Sequence, residues 1–347
     1  MKRLISALYA ALFLCLSGTS VCFAKAETVS GTGFYFDTVI TVKLTAENAD
    51  ELLQGCMDLC QHLEDTFSAQ KEGAELYQLN HRQSEKVEVS DELASCIDRA
   101  LEFSQMSGGA FDLTILPLRQ IWDFEGKQGL TALEYYGEEA KEKSLVPTES
   151  EIQDALSRVD YSRVHLDGNT VSFDRKDTMI DLGGIAKGWI SSALKEYLKE
   201  EGCESACINL GGNVTTVGLK ENGKKWTIGI QTPFSLRGEI LTAVKAEPDH
   251  CIISSGTYER YFEEDGVLYH HILDPRSGYP AEVGLSQVSM VGMDDAACDA
   301  LATIGLVLGR EDFEKMMEEN GREEEVLFTD EDLAFSWFND GGEHERQ

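Results

Sequence analysis

Residues 269–303 read YHHILDPRSGYPAEVGLSQVSMVGMDDAACDALAT. An apolar run from Val267 to Leu273 stops at a Pro/Gly turn, and a second run follows from Gln287 to Val291. From Asp295 to Leu308 the apolar positions take up helical spacing. Strands in succession followed by a helix point to an α+β chain rather than a strictly alternating βα one. Two sets of polar groups ride on this frame. His270 and His271 close the first run; on a strand they point to opposite faces, so one can face a cleft while the other packs. Asp299 and Thr303 stand four residues apart, on one face of a helix. Stacked oxygen donors suit a hard cation such as Mg²⁺. A carboxylate inside an apolar helix needs a partner: a metal, a base or N–H donors. The Thr303 hydroxyl could instead bond back to its own helix.

The rest of the chain fits the same class. Thr38–Leu44 alternates like a strand, and Asn48–Phe67 and Glu92–Met106 carry amphipathic helical spacing. Ser107-Gly108-Gly109 ends the second of these helices. Residues 125–150 form a polar excursion with some helix. Val164–Phe173 reads as a hairpin around Asp167-Gly168-Asn169. Met179–Leu182 is predicted as a short strand, with Gly183-Gly184 a turn and Ala186–Lys199 a helix. Strands follow at Ala206–Leu210, Val214–Val217, Trp226–Ile230, Ile240–Lys245 and Cys251–Ser254. Glu311–Glu319 is a further helix, with short strands near Phe328 and Phe335.

With 347 residues the chain can form one large domain or two lobes. Lys2 and Arg3, the apolar stretch Ile5–Leu16 and the small-x-small site Ala24-Lys25-Ala26 form a secretory leader over residues 1–26. An uncleaved anchor is the other reading. Thr19-Ser20-Val21 is a poor lipidation signal before Cys22. The expected location is extracytoplasmic, in the periplasm or at the cell surface, with membrane association left open. The net charge of −32 becomes −35 without Lys2, Arg3 and Lys25, because residues 1–26 hold no Asp or Glu. Such a surface repels nucleic acid, and an anionic substrate needs local help from a cation, Lys or backbone N–H groups. Cys56, Cys60, Cys96, Cys203, Cys207, Cys251 and Cys298 are odd in number and show no metal spacing, so they read as small buried residues.

Four more segments hold candidate ligand groups. In Asp181-Leu182-Gly183-Gly184-Ile185-Ala186-Lys187-Gly188 a glycine turn leads into a helix start that can cradle phosphate, with Lys187 as an added donor. Asn209-Leu210-Gly211-Gly212-Asn213 repeats the glycine pair. In Gly109-Ala110-Phe111-Asp112, Phe111 could stack on a flat ring and Asp112 could accept from a ring or ribose. Ser254-Ser255-Gly256-Thr257-Tyr258 offers hydroxyl and N–H groups to phosphate. Each has a plain alternative: a strand–helix turn, a β-turn, a helix exit and a hydroxyl-rich turn.

In this order, Gly109–Asp112, Asp181–Gly188, Ile208–Asn213, Ile253–Phe262, His270–Pro280 and Asp299–Thr303 resemble the ApbE family, the FAD:protein FMN transferases, from about Phe36 to Leu308. The resemblance implies a two-lobed α+β fold over residues 27–347, with mixed or antiparallel sheets, flanking helices and a flavin cleft between the lobes. It implies an Mg²⁺-dependent transferase with FAD as substrate, which attaches FMN to a Thr hydroxyl of an acceptor flavoprotein and releases AMP. Carried over, the Ala186 carbonyl, Asp299 and Thr303 would hold the metal. Phe36, Ala110, Phe111, Asp112, Asp181, Lys187, Asn209, Gly211, Gly212, Ser255, Gly256, His271 and Ile272 would contact the flavin nucleotide. His271 and Asp299 would be catalytic. Many members have a Met-Gly-Thr-like start where this chain reads Phe36-Asp37-Thr38, so only a backbone contact carries over at Phe36. The alternatives are a FAD pyrophosphatase and a non-enzymatic exported flavin-binding protein.

Overall fold

The computed structural model describes residues 26–137, 143–236 and 238–340; the expected leader, up to residue 25, lies outside the described residues. A small antiparallel sheet joins β3 (Lys86–Glu88) to the hairpin of β4 (Val164–Asp167) and β5 (Thr170–Phe173). The centre is an eight-stranded sheet that runs, from one edge to the other, through β1 Glu27–Tyr35, β2 Thr38–Ala46, β6 Ser205–Leu210, β7 Asn213–Gly218, β10 Cys251–Gly256, β13 Leu285–Gly292, β14 Glu325–Asp330 and β15 Phe335–Phe338. Every neighbouring pair runs antiparallel. The sheets expected to be mixed or antiparallel are therefore antiparallel here.

Side chains alternate across the sheet, as the two-residue strand period requires. Ile253, Met290 and Val326 face a layer of helices: Ala49–Phe67, Asp91–Met106, Ala186–Glu200, Asp295–Leu308 and Arg310–Glu319. Their neighbours Ile252, Val291 and Leu327 face the other way, onto Ile228, Ile230 and Val244 of a ribbon made by β8 (Trp226–Gln231) and β9 (Ile240–Ala246). A third apolar cluster joins Trp122, Phe124 and Ile152 to Phe262 and Leu273, beside the hairpin of β11 (Tyr261–Glu264) and β12 (Val267–His270). The Trp122 indole donates to the Gly278 carbonyl at 2.9 Å, which fixes the Pro/Gly turn after His271.

Two local readings change. Met179–Leu182 is not a strand. The Ile180 amide donates to Asn80 Oδ1 at 2.7 Å, the Asn80 amide returns a bond to the Ile180 carbonyl at 2.8 Å, and the Asp181 amide donates to the Leu113 carbonyl at 2.7 Å. The segment has no ladder partner. The chain also begins a strand earlier than its alternation suggests, because β1 pairs along its whole length with β2. Its glycines, threonines and serine carry little apolar signal.

Candidate active site

A cleft of about 1150 Å³ opens where the three clusters meet. The turn between β1 and β2 forms part of its rim. Phe36 and Asp37 both sit at positive φ, 54° and 57°, as a two-residue hairpin of this twist demands. The Phe36 amide donates to Glu64 Oε1 at 2.8 Å. Gly211 and Gly212, between β6 and β7, come next. Gly211 has φ 62°, and a Cβ there would lie 2.3 Å from Thr38 Oγ1, so only glycine fits. Asn209 Oδ1 accepts from the Gly212 amide at 2.8 Å and holds the turn.

Ala110, Phe111 and Asp112 line the same cleft. A Cβ on Gly184 would fall 2.9 Å from the Phe111 ring, so the ring edge lies against the glycine turn. Asp112 is largely spent on structure. Its Oδ1 accepts from the Thr114 amide and hydroxyl, and its Oδ2 accepts from the Tyr161 amide at 3.0 Å. Burial raises its carboxyl above the ordinary range, against those hydrogen bonds. Asp181 accepts from the Gly183 amide at 2.7 Å and pairs with Arg119. Arg119 also reaches Glu125, which in turn meets Arg260. Asp181 first, then Glu125, hold the Arg119 guanidinium still more firmly protonated.

His271 faces the cleft with Ile272, while His270 is buried and its Nε2 contacts the Ala281 carbonyl at 3.0 Å. His270 ends β12 and His271 lies just past it, so the two rings part as expected. The protein mass around His271 pushes its pKa well below the usual histidine value; Arg260, His270, Lys187 and Arg119 add to the shift. Its ring is therefore neutral at pH 7, and its buried Nδ1 has no hydrogen-bond partner.

Asp299 is 1% exposed and stands behind the wall rather than in it. Its Oδ2 accepts from the Gly188 amide at 2.8 Å, its Oδ1 accepts from Asn213 Nδ2 at 3.0 Å, and Lys187 Nζ lies 3.9 Å from Oδ1. Thr303 reaches the cleft, and its hydroxyl makes only a long 3.4 Å bond back to the Asp299 carbonyl. A Cβ on Gly184 would be 3.6 Å from Thr303 Oγ1, and one on Gly188 would be 2.7 Å from Asp299 Cβ. The Gly183–Gly188 segment, whose Ala186 lines the cleft, and the Asp299–Thr303 face thus touch. A carboxylate with unused lone pairs, a weakly engaged hydroxyl and a main-chain carbonyl are hard donors, and they fit a small divalent cation. Among the described residues no group of three or more His, Cys, Asp or Glu side chains is placed to hold a metal ion, so Asp299 would be the one carboxylate in such a donor set.

Ser255 and Lys187 also line the cleft, whereas Gly256 does not. A Cβ on Gly256 would strike the Tyr258 ring at 2.2 Å, so that glycine serves packing. Sequence reasoning missed Arg119, Glu259 and Arg260 on the wall. Arg119 lies on the helix Leu116–Trp122, too short for its periodicity to show. Glu259 and Arg260 directly follow the hydroxyl-rich turn, and a charged pair there was a usable signal. The Glu259 side chain reaches water through the open cleft. The surrounding protein raises its carboxyl, Lys187 and Arg260 pull it back, and Asp299 raises it further.

Residues 36–328 match the ApbE family model. This chain belongs to the ApbE family. It is 31% identical over 305 residues to a Treponema pallidum protein named FAD:protein FMN transferase, spanning 83% of this chain and 79% of that one. A protein of the same name from Vibrio cholerae is 30% identical over 295 residues, 84% of each chain. The ApbE protein of Thermotoga maritima superposes with a TM-score of 0.77 at 29% identity, over 89% of this chain and 96% of that one. The flavin transferase ApbE of Vibrio cholerae gives 0.75 at 26% identity, over 90% and 97%. Both are solved structures. The α+β architecture with antiparallel sheets and flanking helices is that of the ApbE structures.

Proposed function

We propose that this ApbE-family chain transfers FMN from FAD to a Thr hydroxyl of an acceptor flavoprotein and releases AMP. One observation carries the chemistry: a neutral His271 shares a cleft with three cations, Lys187, Arg119 and Arg260, and with the oxygen donors of Ala186 and Thr303. The acceptor oxygen attacks the FMN phosphorus. The bond between that phosphorus and the bridging oxygen breaks, and AMP departs with that oxygen. His271, free of a proton, takes the one the hydroxyl loses. The cations and the glycine-turn N–H groups receive the pyrophosphate, which the chain's overall negative charge would otherwise repel. Phe111 offers a ring face for stacking. Ala186, Asp299 and Thr303 would hold Mg²⁺, which when bound neutralises phosphate charge and orients the bridge. The protein's own contribution is mainly positioning for in-line displacement.

The domain reading keeps residues 27–347 as a single two-lobed transferase unit, exported by the leader at 1–26. Among the described residues no helix is long and apolar enough to cross a membrane.

The test incubates the mature chain with FAD, Mg²⁺ and a candidate acceptor domain and weighs the acceptor. A gain equal to FMN less one water, with AMP released, supports transfer. FMN and AMP appearing while the acceptor mass stays fixed would make the chain a FAD pyrophosphatase, a reading that the water-open cleft around Glu259 keeps alive.

A further inference from the structure

Asp299 gains its orientation from outside its own helix. Its carboxylate has about four lone-pair directions. The Gly188 amide occupies one on Oδ2 and Asn213 Nδ2 one on Oδ1. Lys187 Nζ stands 3.9 Å from Oδ1, beyond hydrogen-bond reach, and the remaining directions are those left for a divalent cation. Asn213 is 1% exposed and opens β7 directly after Gly211-Gly212, so the turn that lines the cleft also places this side chain. A carboxylate only accepts, so the Asn213 group facing it is the NH₂ end. Asn is suited to the post because it donates without adding charge. A lysine there would compete with a divalent ion for the same oxygen.

A second rung fixes the level of the first. Two residues along the same face of β7, the Thr215 hydroxyl donates to Asp295, one helical turn before Asp299. Two strand residues advance roughly 6.7 Å and four helix residues roughly 6 Å, so strand and helix stay in step. Asp295 is fully buried and pairs with Lys195, which also donates to the Met293 carbonyl at 2.9 Å. With Asp295 fixed, the helix cannot turn, and Asn213 on Oδ1 with the Gly188 amide on Oδ2 sets the remaining freedom, the twist of the Asp299 carboxylate about its own bonds.

We propose that Asn213 is a positioning residue that aims the Asp299 carboxylate at the divalent-ion site; this rests on the reading that Asp299, Thr303 and Ala186 hold that ion. Mg²⁺ demands near-ideal octahedral geometry, with Mn²⁺ its spectroscopic stand-in at oxygen sites, while Ca²⁺ tolerates irregular ligands. Losing the Asn213 bond therefore penalises the small ion selectively.

The experiment titrates Mn²⁺ and, separately, Ca²⁺ into the full chain without FAD or acceptor, reading free Mn²⁺ by electron paramagnetic resonance and Ca²⁺ by calorimetry. Asn213→Ala is expected to weaken Mn²⁺ by about 10–100-fold, as loss of a ligand's outer partner generally does, and Ca²⁺ by less than about threefold. Asn213→Leu fills the same space without a donor and should behave alike, so the test survives if the alanine variant folds poorly. Equal losses for both ions would mean a loosened fold and would overturn the proposal. Mn²⁺ affinity within twofold of wild type in a folded variant would do the same. A wild-type chain that binds no Mn²⁺ would sink the metal reading itself, and this inference with it.

Discussion

Gly188→Ala tests whether the contact between two helices sets the site. In the Ala186–Glu200 helix, Gly188 meets the Asp295–Leu308 helix so closely that an added Cβ would stand 2.3 Å from the Asp295 carbonyl oxygen and 2.7 Å from Asp299 Cβ. Both obstacles belong to, or adjoin, the main chain, so neither can swing aside. Ordinary contact needs about 1 Å more room, which the helices can supply only by parting. Two stability terms oppose each other. Alanine favours a helix interior over glycine by up to about 1 kcal/mol, and overpacking costs about 1–3 kcal/mol. The net loss is then roughly 0–2.5 kcal/mol, too little to unfold a chain of this size. Function is far more sensitive. Metal–ligand distances tolerate about 0.2 Å, and a misplacement of about 1 Å lowers a rate on the order of 100-fold. Gly188→Ala is therefore expected to keep its fold in urea titration and lose Mn²⁺ affinity and FMN transfer together. Gly55→Ala is the control, because its Cβ would meet the outer end of the Tyr197 side chain, the hydroxyl at 1.9 Å and Cζ at 2.6 Å, which can move aside without shifting a main chain. A folded Gly188→Ala chain that transfers FMN within twofold of wild type would refute the reasoning.

The other expectations concern single groups. Asp299→Ala should abolish divalent-ion-dependent transfer, measured by acceptor mass; full activity would remove Asp299 from the mechanism. His271→Ala should leave FAD affinity, read by flavin fluorescence, within a few-fold while slowing transfer by about 10²–10⁴-fold, the usual worth of a positioned base. Because His271 is depressed well below its usual pKa, kcat/KM should stay level down through pH 6.5 and fall only at more acidic pH. A midpoint at or above 6.5 would contradict its surroundings. Burial drives His270 down to about 4, against the pull of the Ala281 carbonyl. Between that value and 6.5 the unfolded chain binds the proton and the native chain does not. The stability His270 contributes is thus whole above pH 6.5 and lost as pH falls toward 4, up to roughly 3 kcal/mol. Denaturant midpoints at pH 7.5 and 4.5 should separate less in His270→Leu than in wild type, and equal separations would count against this assignment.

What the chain declares locally is one-sided burial and turn chemistry. The helices near Ala49, Asp91, Ala186 and Asp295 carry an apolar stripe, the glycine pairs announce tight turns, and the four-residue step from Asp299 to Thr303 fixes a shared helix face before any folding. Order along the chain also sufficed for the family resemblance, since six short motifs in sequence are far more specific than any one. Three-dimensional packing decided the rest. The Asp299 partners Gly188 and Asn213 lie 111 and 86 residues away, and Arg119 pairs with Asp181 across 62. No window of periodicity reaches that far. Met179–Leu182 looked like a strand because it is a short, mostly apolar run ahead of a glycine turn, but its backbone found the Asn80 side chain and the Leu113 carbonyl instead of a neighbour's ladder. Asp112 lines the cleft as expected, and only the fold shows that its oxygens also accept from Thr114 and Tyr161. A sequence pattern reports which side of an element is covered. Which donor meets which acceptor depends on how closely two covered sides approach, and here that distance is set where Gly188 lets one helix rest on another.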